Sequence, residues 1–268
     1  MNRTSDILVI DDEQVIIDAV IKICSLDNYS VDTALDVKTA TEKITKNYYP
    51  IIICDIMMPD GSGFQILEEI RRKNLRSSLI MTTGYSTVEN AVNSLYKGAI
   101  DFIPKPFTVD ELLSSVYRAN NYQRIKEKQK QLYLQKLNDE VLYVPCPSKY
   151  LRLGYSTWIF QEREGSVLIG VCDLFMKTLE ATQEIEFQDT EDEIAQGISC
   201  ASLKCSNDRN HKILSPISGR IVEVNEKIKK YPSLIEKDPY FEGWIYRVIP
   251  ANLDYEIKYL ISCSSDRL

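Results

Sequence analysis

The sequence predicts an α/β domain with a doubly wound, five-stranded parallel sheet, followed by a smaller and mostly β domain. Short apolar runs, DILVI, IIIC, SLIMTT and AIDFI, alternate between residues 6 and 119 with longer segments of helical periodicity. Strands that alternate with helices form parallel sheets covered on both faces. The texture changes after residue 141, where short β-type runs replace this alternation.

Five helices are predicted between the apolar runs. They start near five positions, Glu13, Lys38, Gly63, Thr87 and Val109. In the first, EQVIIDAVIKIC, the apolar residues recur at three- and four-residue spacing, which is typical of one buried helix face. The pattern therefore fits five successive β-α units.

Residues 120–140, NNYQRIKEKQKQLYLQKLNDE, are rich in Lys, Gln and Glu and contain no Gly or Pro. They are predicted to continue the fifth helix as a solvated rod. Ile125 and Leu132 are seven positions apart, which suits the start of a coiled coil and hence a homodimer. A secure coiled coil needs about three or four heptads, so a plain linker helix is the favoured alternative.

The chain after residue 141 is predicted to be an all-β unit with small helices. Tyr, Val, Ile and Thr become frequent, and runs such as TWIFQ, SVLIGV and GWIYRVI are separated by Gly, Pro, Asp and Asn. The predicted boundary lies near 138–145. The predicted organisation is therefore a domain over 1–120, a helical linker over 121–140 and a domain over 141–268.

Composition narrows the class of protein. The net charge of −7 opposes a main role in gripping nucleic acid, which needs a basic surface, so DNA is not an expected partner. No stretch approaches the roughly 18 apolar residues of a membrane span, and the N-terminus does not resemble a signal peptide. The seven cysteines are scattered and odd in number, which favours a reducing compartment. We expect a cytoplasmic protein that does not insert into membranes.

Reactive side chains end four of the predicted strands. They are Asp11 and Asp12 after DILVI, Asp55 after IIIC, Thr82 and Thr83 at the end of SLIMTT, and Lys105 after DFIP. In doubly wound sheets such groups meet at the carboxyl ends of the strands. Three carboxylates in one cleft repel each other unless a cation intervenes, and oxygen ligands suit Mg²⁺. Each residue alone is more often a turn former or a helix cap, so the convergence carries the prediction.

VIDDE, CDIMMPDGSG, MTTG and DFIPKPF resemble, in order and spacing, the motifs of the two-component response regulator receiver domain. The resemblance covers about residues 5–120 and implies a flavodoxin-like fold. It implies that Asp55 accepts a phosphoryl group from a sensor histidine kinase or phosphotransfer protein. It also implies a Mg²⁺ site made of four groups, Asp11, Asp12, Asp55 and the backbone carbonyl of Met57.

The same resemblance assigns roles to three residues near the end of the domain. Thr83 and Lys105 would contact the phosphoryl oxygens, and Pro106 would follow Lys105 in a cis peptide. Phe102 occupies the switch position, whose aromatic ring turns inward when the threonine engages phosphate; the alternative is a core phenylalanine. No separate catalytic domain is recognised, so no enzymatic activity beyond phosphoryl acceptance and autodephosphorylation is expected.

Residues 213–250 resemble the C-terminal half of the glycine cleavage system H protein, a lipoyl carrier, and the resemblance extends over about 143–260. It implies a flattened β sandwich of the lipoyl/biotinyl type. The family carries lipoate on the lysine of a Glu-Ser-Val-Lys hairpin. The matching segment here is Ala-Ser-Leu-Lys at 201–204, so the matching residue is Lys204. Ala201 replaces the acid, Ser156-Thr157 replaces His-Glu, and CSNDRNH lengthens the following segment.

Three functions follow from these features. The favoured one is a phosphorelay response regulator whose degenerate H-protein-like domain binds an output protein that the sequence does not identify. The alternative is a true lipoyl carrier, gated by phosphorylation, with lipoate on Lys204. A transcription regulator is opposed by the acidity of the chain and by the lack of a helix-turn-helix pattern.

Cys200, Cys205 and His211 form a candidate metal or redox site. Their spacing matches no standard CxxC pair, however, and buried cysteines are common.

Overall fold

The computed structural model describes residues 5–84, 87–135 and 140–266, so residues 136–139 of the predicted linker lie outside the described residues. Contacts divide the chain into two units. The first is Met1–Ser86 with Lys97–Lys128, and the second is Thr87–Tyr96 with Gln129–Leu268. The predicted boundaries at 120 and 140 stay a prediction.

The N-terminal part of the chain alternates strands and helices, as its periodicity predicts. The elements in chain order are β1 (Ile7–Ile10), α1 (Gln14–Leu26), β2 (Val31–Ala34), α2 (Val37–Lys46), β3 (Ile51–Asp55), β4 (Met57–Met58), β5 (Gly61–Ser62), α3 (Gly63–Arg72), β6 (Ser78–Thr83), α4 (Val88–Tyr96), β7 (Asp101–Pro104) and α5 (Val109–Leu134). Five strands form a parallel sheet in the order β2-β1-β3-β6-β7. The predicted five-stranded parallel sheet is confirmed.

The inner strands β1 and β3 are mostly apolar because helices cover both sides of the sheet. Every residue of β1 and β3 is buried, and Ile7 pairs with Ile51 in the parallel register. Their side chains pack with Val20 of α1 and Val116 of α5 in one core. Burying one such side chain stabilises the fold by about 1.5–3 kcal/mol, which is why the strands carry continuous apolar runs.

Helix α5 extends well past the sheet. It runs over 26 residues, and its last buried side chain is Gln123, whose amide donates to the Ser78 hydroxyl at 2.8 Å. Beyond Gln123 the described part of α5 buries no side chain, in keeping with the predicted solvated rod. Its composition of Lys, Gln and Glu lets it remain helical there without a core.

The C-terminal part of the chain is mostly β. Its elements are β8 (Leu151–Leu153), β9 (Thr157–Gln161), β10 (Val167–Val171), α6 (Asp173–Met176), β11 (Thr182–Phe187), β12 (Glu193–Ile194), β13 (Ser199–Cys205), β14 (Asn210–Leu214), β15 (Gly219–Val224), α7 (Glu226–Lys230), α8 (Leu234–Lys237), β16 (Tyr246–Pro250), α9 (Leu253–Glu256), β17 (Ile261–Ser262) and 3-10 turns at Ile257–Tyr259 and Cys263–Asp266. An antiparallel sheet has the order β12-β15-β16-β10-β9-β8-β17, and a second has the order β11-β13-β14.

Apolar side chains from both sheets form one core in the second unit. Leu203 of β13 and Ile221 of β15 belong to it and are fully buried. Val92 and Leu95 of α4 belong to it as well. Gly197, at a φ of +76°, lets the backbone approach this helix, because a Cβ there would lie 2.9 Å from Val92 Cγ2. Helix α4 therefore packs within the second unit.

Trp158 lies in the interior of the second unit. It is fully buried, and its indole nitrogen donates to the carbonyl oxygens of Val171 at 3.0 Å and Pro239 at 3.2 Å. Trp244 is half-buried beneath the Arg247 guanidinium, which stacks over its ring at 5.3 Å.

Over the described residues, no helix has the length and apolarity needed to cross a membrane.

Candidate functional site

The carboxyl ends of four parallel strands meet at one edge of the five-stranded sheet. Strand β3 lies between β1 and β6, and β7 lies beside β6. Asp55 is the last residue of β3 and pairs in register with Thr82. Asp11 directly follows β1, and Lys105 directly follows β7, so the fold brings the predicted side chains together.

Lys105 links two of the predicted carboxylates. Its Nζ lies 2.7 Å from Asp11 Oδ2 and 2.9 Å from Asp55 Oδ2, and all three side chains are buried. Glu13, which was not predicted as a site residue, places Oε1 3.7 Å from the same ammonium. The signal was its place at the end of the VIDDE motif, two residues after Asp11. The Lys105 ammonium thus lies among the carboxylates of Asp11, Glu13 and Asp55.

The carboxylates also form a potential cation site. Oxygen atoms of Asp11, Asp12 and Asp55 all lie within 4.8 Å of one another. Asp12 is exposed while the other two are buried, so the cluster has an open side. An oxygen-only donor set with room for water fits Mg²⁺. The backbone nitrogen of Met57 donates to Asp55 Oδ1 at 3.3 Å, and a role for the Met57 carbonyl stays a prediction.

The pKa directions reflect burial and these contacts. Burial raises the pKa of Asp11, and the hydrogen bond from Lys105 opposes that rise without cancelling it. Burial lowers the pKa of Lys105, but the hydrogen bonds to Asp11 and Asp55 raise it by more, so that the net direction is upward. The lysine therefore stays protonated beside the carboxylates at neutral pH.

Gly63 lets the chain turn closely behind Asp55, a role that was not predicted for it. A Cβ at position 63 would lie 2.2 Å from the Asp55 carbonyl oxygen and 2.9 Å from Cys54 Sγ. The Gly63 amide donates to the carbonyl of Ile56 at 3.0 Å. The second glycine of PDGSG was the signal. No other residue type fits the space, because every other side chain begins with a Cβ.

Three further predicted residues lie at the β6–β7 edge. Thr83 is fully buried, and its carbonyl accepts a hydrogen bond from the Lys105 amide at 2.8 Å. The Lys105–Pro106 peptide is cis, as the resemblance implied. Phe102 is buried and pairs with Met81 in the sheet register. Its role as a switch stays a prediction.

Comparison with known proteins identifies both halves of the chain. Residues 7–117 match the response regulator receiver domain, and residues 149–265 match the glycine cleavage H-protein. The chain is a response regulator with a glycine cleavage H-protein domain. Both family resemblances predicted from the sequence motifs are therefore confirmed. A receiver domain implies a histidine kinase or a phosphotransfer protein as a partner.

Three relatives illustrate the two similarities. The transcriptional regulatory protein DltR of Streptococcus agalactiae is 31% identical over 157 residues, which are 58% of this response regulator and 70% of DltR. The response regulator ArlR of Staphylococcus aureus is 34% identical over 112 residues, 42% of this chain and 51% of ArlR. The probable glycine cleavage system H protein 1 of Saccharolobus solfataricus is 36% identical over 108 residues, 39% of this chain and 76% of that protein.

Lys204 of the response regulator lies in a strand and not at a hairpin tip. It is exposed in β13, and its Cα is in register with Glu184 and Asn210 on the two neighbouring strands. The turn comes later, where the Cys205 amide donates to the Arg209 carbonyl at 3.0 Å. The predicted lengthening of this segment therefore places other residues at the tip.

Cys200, Cys205 and His211 do not form a compact ligand set. All three are buried, on β13 and β14. Among the residues that the structure describes, the acidic cluster at the sheet edge is the only group of three or more acidic, histidine or cysteine side chains whose ligand atoms lie within 4.8 Å of one another. The three residues fit the favoured expectation of interior side chains.

Proposed function

We propose that this response regulator accepts a phosphoryl group on Asp55 in a Mg²⁺-dependent reaction, and that phosphorylation controls its H-protein-like domain in the cytoplasm. The donor is the phosphohistidine of a histidine kinase or phosphotransfer protein. One observation carries the proposal: the Lys105 ammonium lies within 3 Å of oxygen atoms of both Asp11 and Asp55, beside a third carboxylate. An aspartate that only forms a turn would not require a buried ammonium and two further carboxylates beside it.

The chemistry follows from the charges. A carboxylate oxygen of Asp55 attacks phosphorus, the phosphorus–nitrogen bond of the donor breaks, and the imidazole nitrogen leaves with the bonding pair. Asp11 and Asp12 would hold Mg²⁺, which supplies positive charge to the phosphoryl oxygens when bound. The Lys105 ammonium exchanges its contact with Asp55 for one with the incoming phosphoryl group, and the Thr83 hydroxyl donates to it.

Helix α4 offers a route from this reaction to the second unit. The chain joins Thr83, at the end of β6, to α4 through a few residues, and the apolar face of α4 packs in the core of the second unit. We propose that engagement of Thr83 by the phosphoryl group, with the Phe102 ring held in its buried position, changes the packing of α4. Phosphorylation thereby acts on the H-protein-like domain through α4.

The H-protein-like domain acts, in this proposal, as a protein-interaction module without lipoate. The support is the position of Lys204 within β13, since an arm-bearing lysine needs an exposed tight turn for its ligase. Ala201, in the place of the family's acid, is also buried. The alternative, a lipoyl carrier gated by phosphorylation, rests on the exposure of Lys204.

The phosphoacceptor assignment is tested with a small phosphodonor and Mg²⁺. The wild type is expected to take up acid-labile phosphate, and Asp55→Asn is expected to take up none. Asp60→Asn is the matched control, because Asp60 lies five residues later and accepts hydrogen bonds from the backbone at the start of α2. Label that persists in Asp55→Asn, or that disappears in Asp60→Asn, contradicts the assignment.

The output assignment is tested by the intact mass of the protein purified from its native host. We expect an unmodified peptide around Lys204, under conditions in which genuine lipoyl proteins of the host are modified. A lipoyl mass on Lys204 would instead establish the carrier function. Retention on DNA at physiological salt tests the transcription-regulator alternative, and we expect none.

A further inference from the structure

Three cysteines that are far apart in sequence meet inside the H-protein-like domain. Cys146, Cys172 and Cys263 are all buried, with at most 7% of any of them exposed. They share one buried cluster with three aromatic side chains, Tyr150, Trp158 and Tyr240. The similarity to H proteins assigns no role to this cluster, and neither does the proposed function.

Hydrogen bonds hold the segment with Cys146 against the residues around Cys172. The Val144 amide donates to the Asp173 carboxylate at 2.6 Å. The Tyr240 hydroxyl donates to the Val144 carbonyl at 3.0 Å and accepts from the Asp173 amide at 3.0 Å. These contacts fix the path of the chain two residues before Cys146 and one residue after Cys172.

Cys263 reaches the same cluster from the end of the domain. Its amide donates to the Tyr150 carbonyl at 3.1 Å, and β17, just before it, pairs with β8. Cys146 therefore packs in one buried cluster with both Cys172 and Cys263, and these two thiols are the largest causes of its raised pKa. Cys146 is the central member, with two alternative sulfur partners.

The arrangement suits redox pairing better than metal binding. The three sulfur atoms do not all lie within 4.8 Å of one another, as a shared metal ion would require. None of the three cysteines is in a disulfide in the structure. A central thiol with two neighbours can form a disulfide with one of them and exchange it with the other.

We propose that Cys146 and Cys172 form a reversible disulfide under hydroperoxide stress, with Cys263 as the exchange partner. The Cys146 sulfur attacks the peroxide, which leaves as an alcohol, and a sulfenic acid forms. The Cys172 sulfur then attacks Cys146, and the sulfenic oxygen leaves as water. Two thiols lose two protons and two electrons, and the hydroperoxide is reduced to an alcohol and water. A dithiol reverses the bond.

The segment 140–147 controls access to this site. Val141 and Val144 in it are largely exposed, and Cys146 is its buried anchor. The hydrogen bonds with the neighbouring thiols, and then burial, raise the pKa of Cys146, so that little thiolate exists while the segment is in place. Oxidation therefore proceeds at the rate at which the segment opens, and the disulfide then locks the segment that follows α5 onto the β10–α6 junction.

The test uses the full chain, treated with tert-butyl hydroperoxide and mapped by proteolysis without reduction. The expected product is a peptide pair joined through Cys146 and Cys172, which disappears after dithiothreitol. In Cys172→Ser the link should move to Cys263, and in Cys146→Ser it should be absent. Cys200→Ser, a buried thiol of the same domain outside the cluster, is the control and should leave the link intact.

Two outcomes overturn the proposal. One is the absence of any linked peptide containing Cys146 in the wild type, a measurement that does not depend on how the variants fold. The other is a yield of disulfide-linked peptides from the cluster that is as high in Cys146→Ser or Cys146→Ala as in the wild type. Control of access is tested separately with Tyr240→Phe, which removes the hydroxyl that holds Val144 and should speed oxidation several-fold. Tyr231→Phe, an exposed tyrosine, should not, and equal rates in the two variants contradict the role of the segment.

Discussion

At the scale of the residue, the two most informative positions in the receiver domain are Lys105 and Gly63. Lys105 places one buried ammonium between two buried carboxylates, so each carboxylate depends on it for charge compensation. Gly63 permits the close turn behind Asp55. The first residue was readable from its motif, whereas the second is explained only by the path of the backbone.

Lys105→Met is expected to destabilise the protein by about 3–5 kcal/mol in the absence of metal, because it leaves two buried carboxylates uncompensated. Added Mg²⁺ should recover part of this loss by binding the carboxylates. Urea unfolding with and without Mg²⁺ measures both effects. The control is Lys97→Met, whose exposed ammonium pairs with Glu68 at 3.2 Å, and which should cost little. A loss for Lys105→Met that Mg²⁺ leaves unchanged would sink the assigned cation site.

Gly63→Ala is expected to lower the free energy of unfolding by about 1–3 kcal/mol and to impair phosphorylation of Asp55, because the added methyl overlaps the Asp55 carbonyl. Gly61→Ala is the matched control. Its methyl meets mainly the end of the Gln65 side chain, which can move. Thermal unfolding and phosphate uptake are the measurements. Equal behaviour of the two variants would show that the close approach is not limiting.

At the scale of the element, a partly buried network joins β2 to α2 and to Tyr49, which lies just before β3. The Asp32 carboxylate accepts from Lys43 Nζ at 2.6 Å and from the Tyr49 hydroxyl at 2.6 Å. Burial raises the pKa of Asp32, but the hydrogen bonds from Lys43, Tyr49 and the Thr33 amide, together with the charge of Lys43, lower it by more, so the net direction is downward. A carboxylate whose pKa is lowered on folding stabilises the native state above its unfolded value of about 3.9.

Asp32→Asn is therefore expected to cost about 1–2 kcal/mol at pH 7 and progressively less as the pH falls below about 4. The difference in stability shrinks at low pH because protonation of Asp32 in the wild type removes the charge that the substitution also removes. Chemical denaturation of both proteins across this range measures the difference. A gap between wild type and variant that is as wide at low pH as at pH 7 would contradict the role of the ionised carboxylate.

The hairpin β13–β14 shows how an element can displace a functional residue. The motif alignment places a candidate lysine at position 204, but the strand continues to Cys205 before the chain turns. Strand length is set by cross-strand pairing with β11 and β14, and those partners lie outside the motif. Sequence similarity alone could therefore nominate the lysine without deciding whether it occupies a turn.

At the scale of the whole molecule, α4 is the element on which the proposed coupling depends. Leu95 is almost fully buried in the core of the second unit. Leu95→Ala should destabilise this unit by about 2–5 kcal/mol and should remove any effect of phosphorylation on its hydrogen exchange, while Asp55 still accepts phosphate. Val88→Ala, at the exposed start of α4, is the control. A phosphorylation effect that survives in Leu95→Ala would redirect the search to α5.

Much of the receiver could be predicted because its signals are local. Apolar runs and helical spacing predict the strands and helices, and parallel strands bring Asp11, Asp55 and Lys105 to the same edge. The contributions of Glu13 and Gly63 were missed, because each depends on distances of a few ångströms between segments. The cysteine cluster was missed for the same reason, since positions 146, 172 and 263 share no motif.

The sequence by itself determined the two families, the parallel sheet, the mostly β second domain and the phosphoacceptor candidate. Hydrophobic periodicity and contiguous motifs carry that information along the chain. Only the tertiary structure decided that Lys204 lies within a strand, that α4 packs in the core of the second unit, and that three distant thiols meet. Those outcomes depend on long-range packing, in which residues far apart in sequence compete for the same buried space.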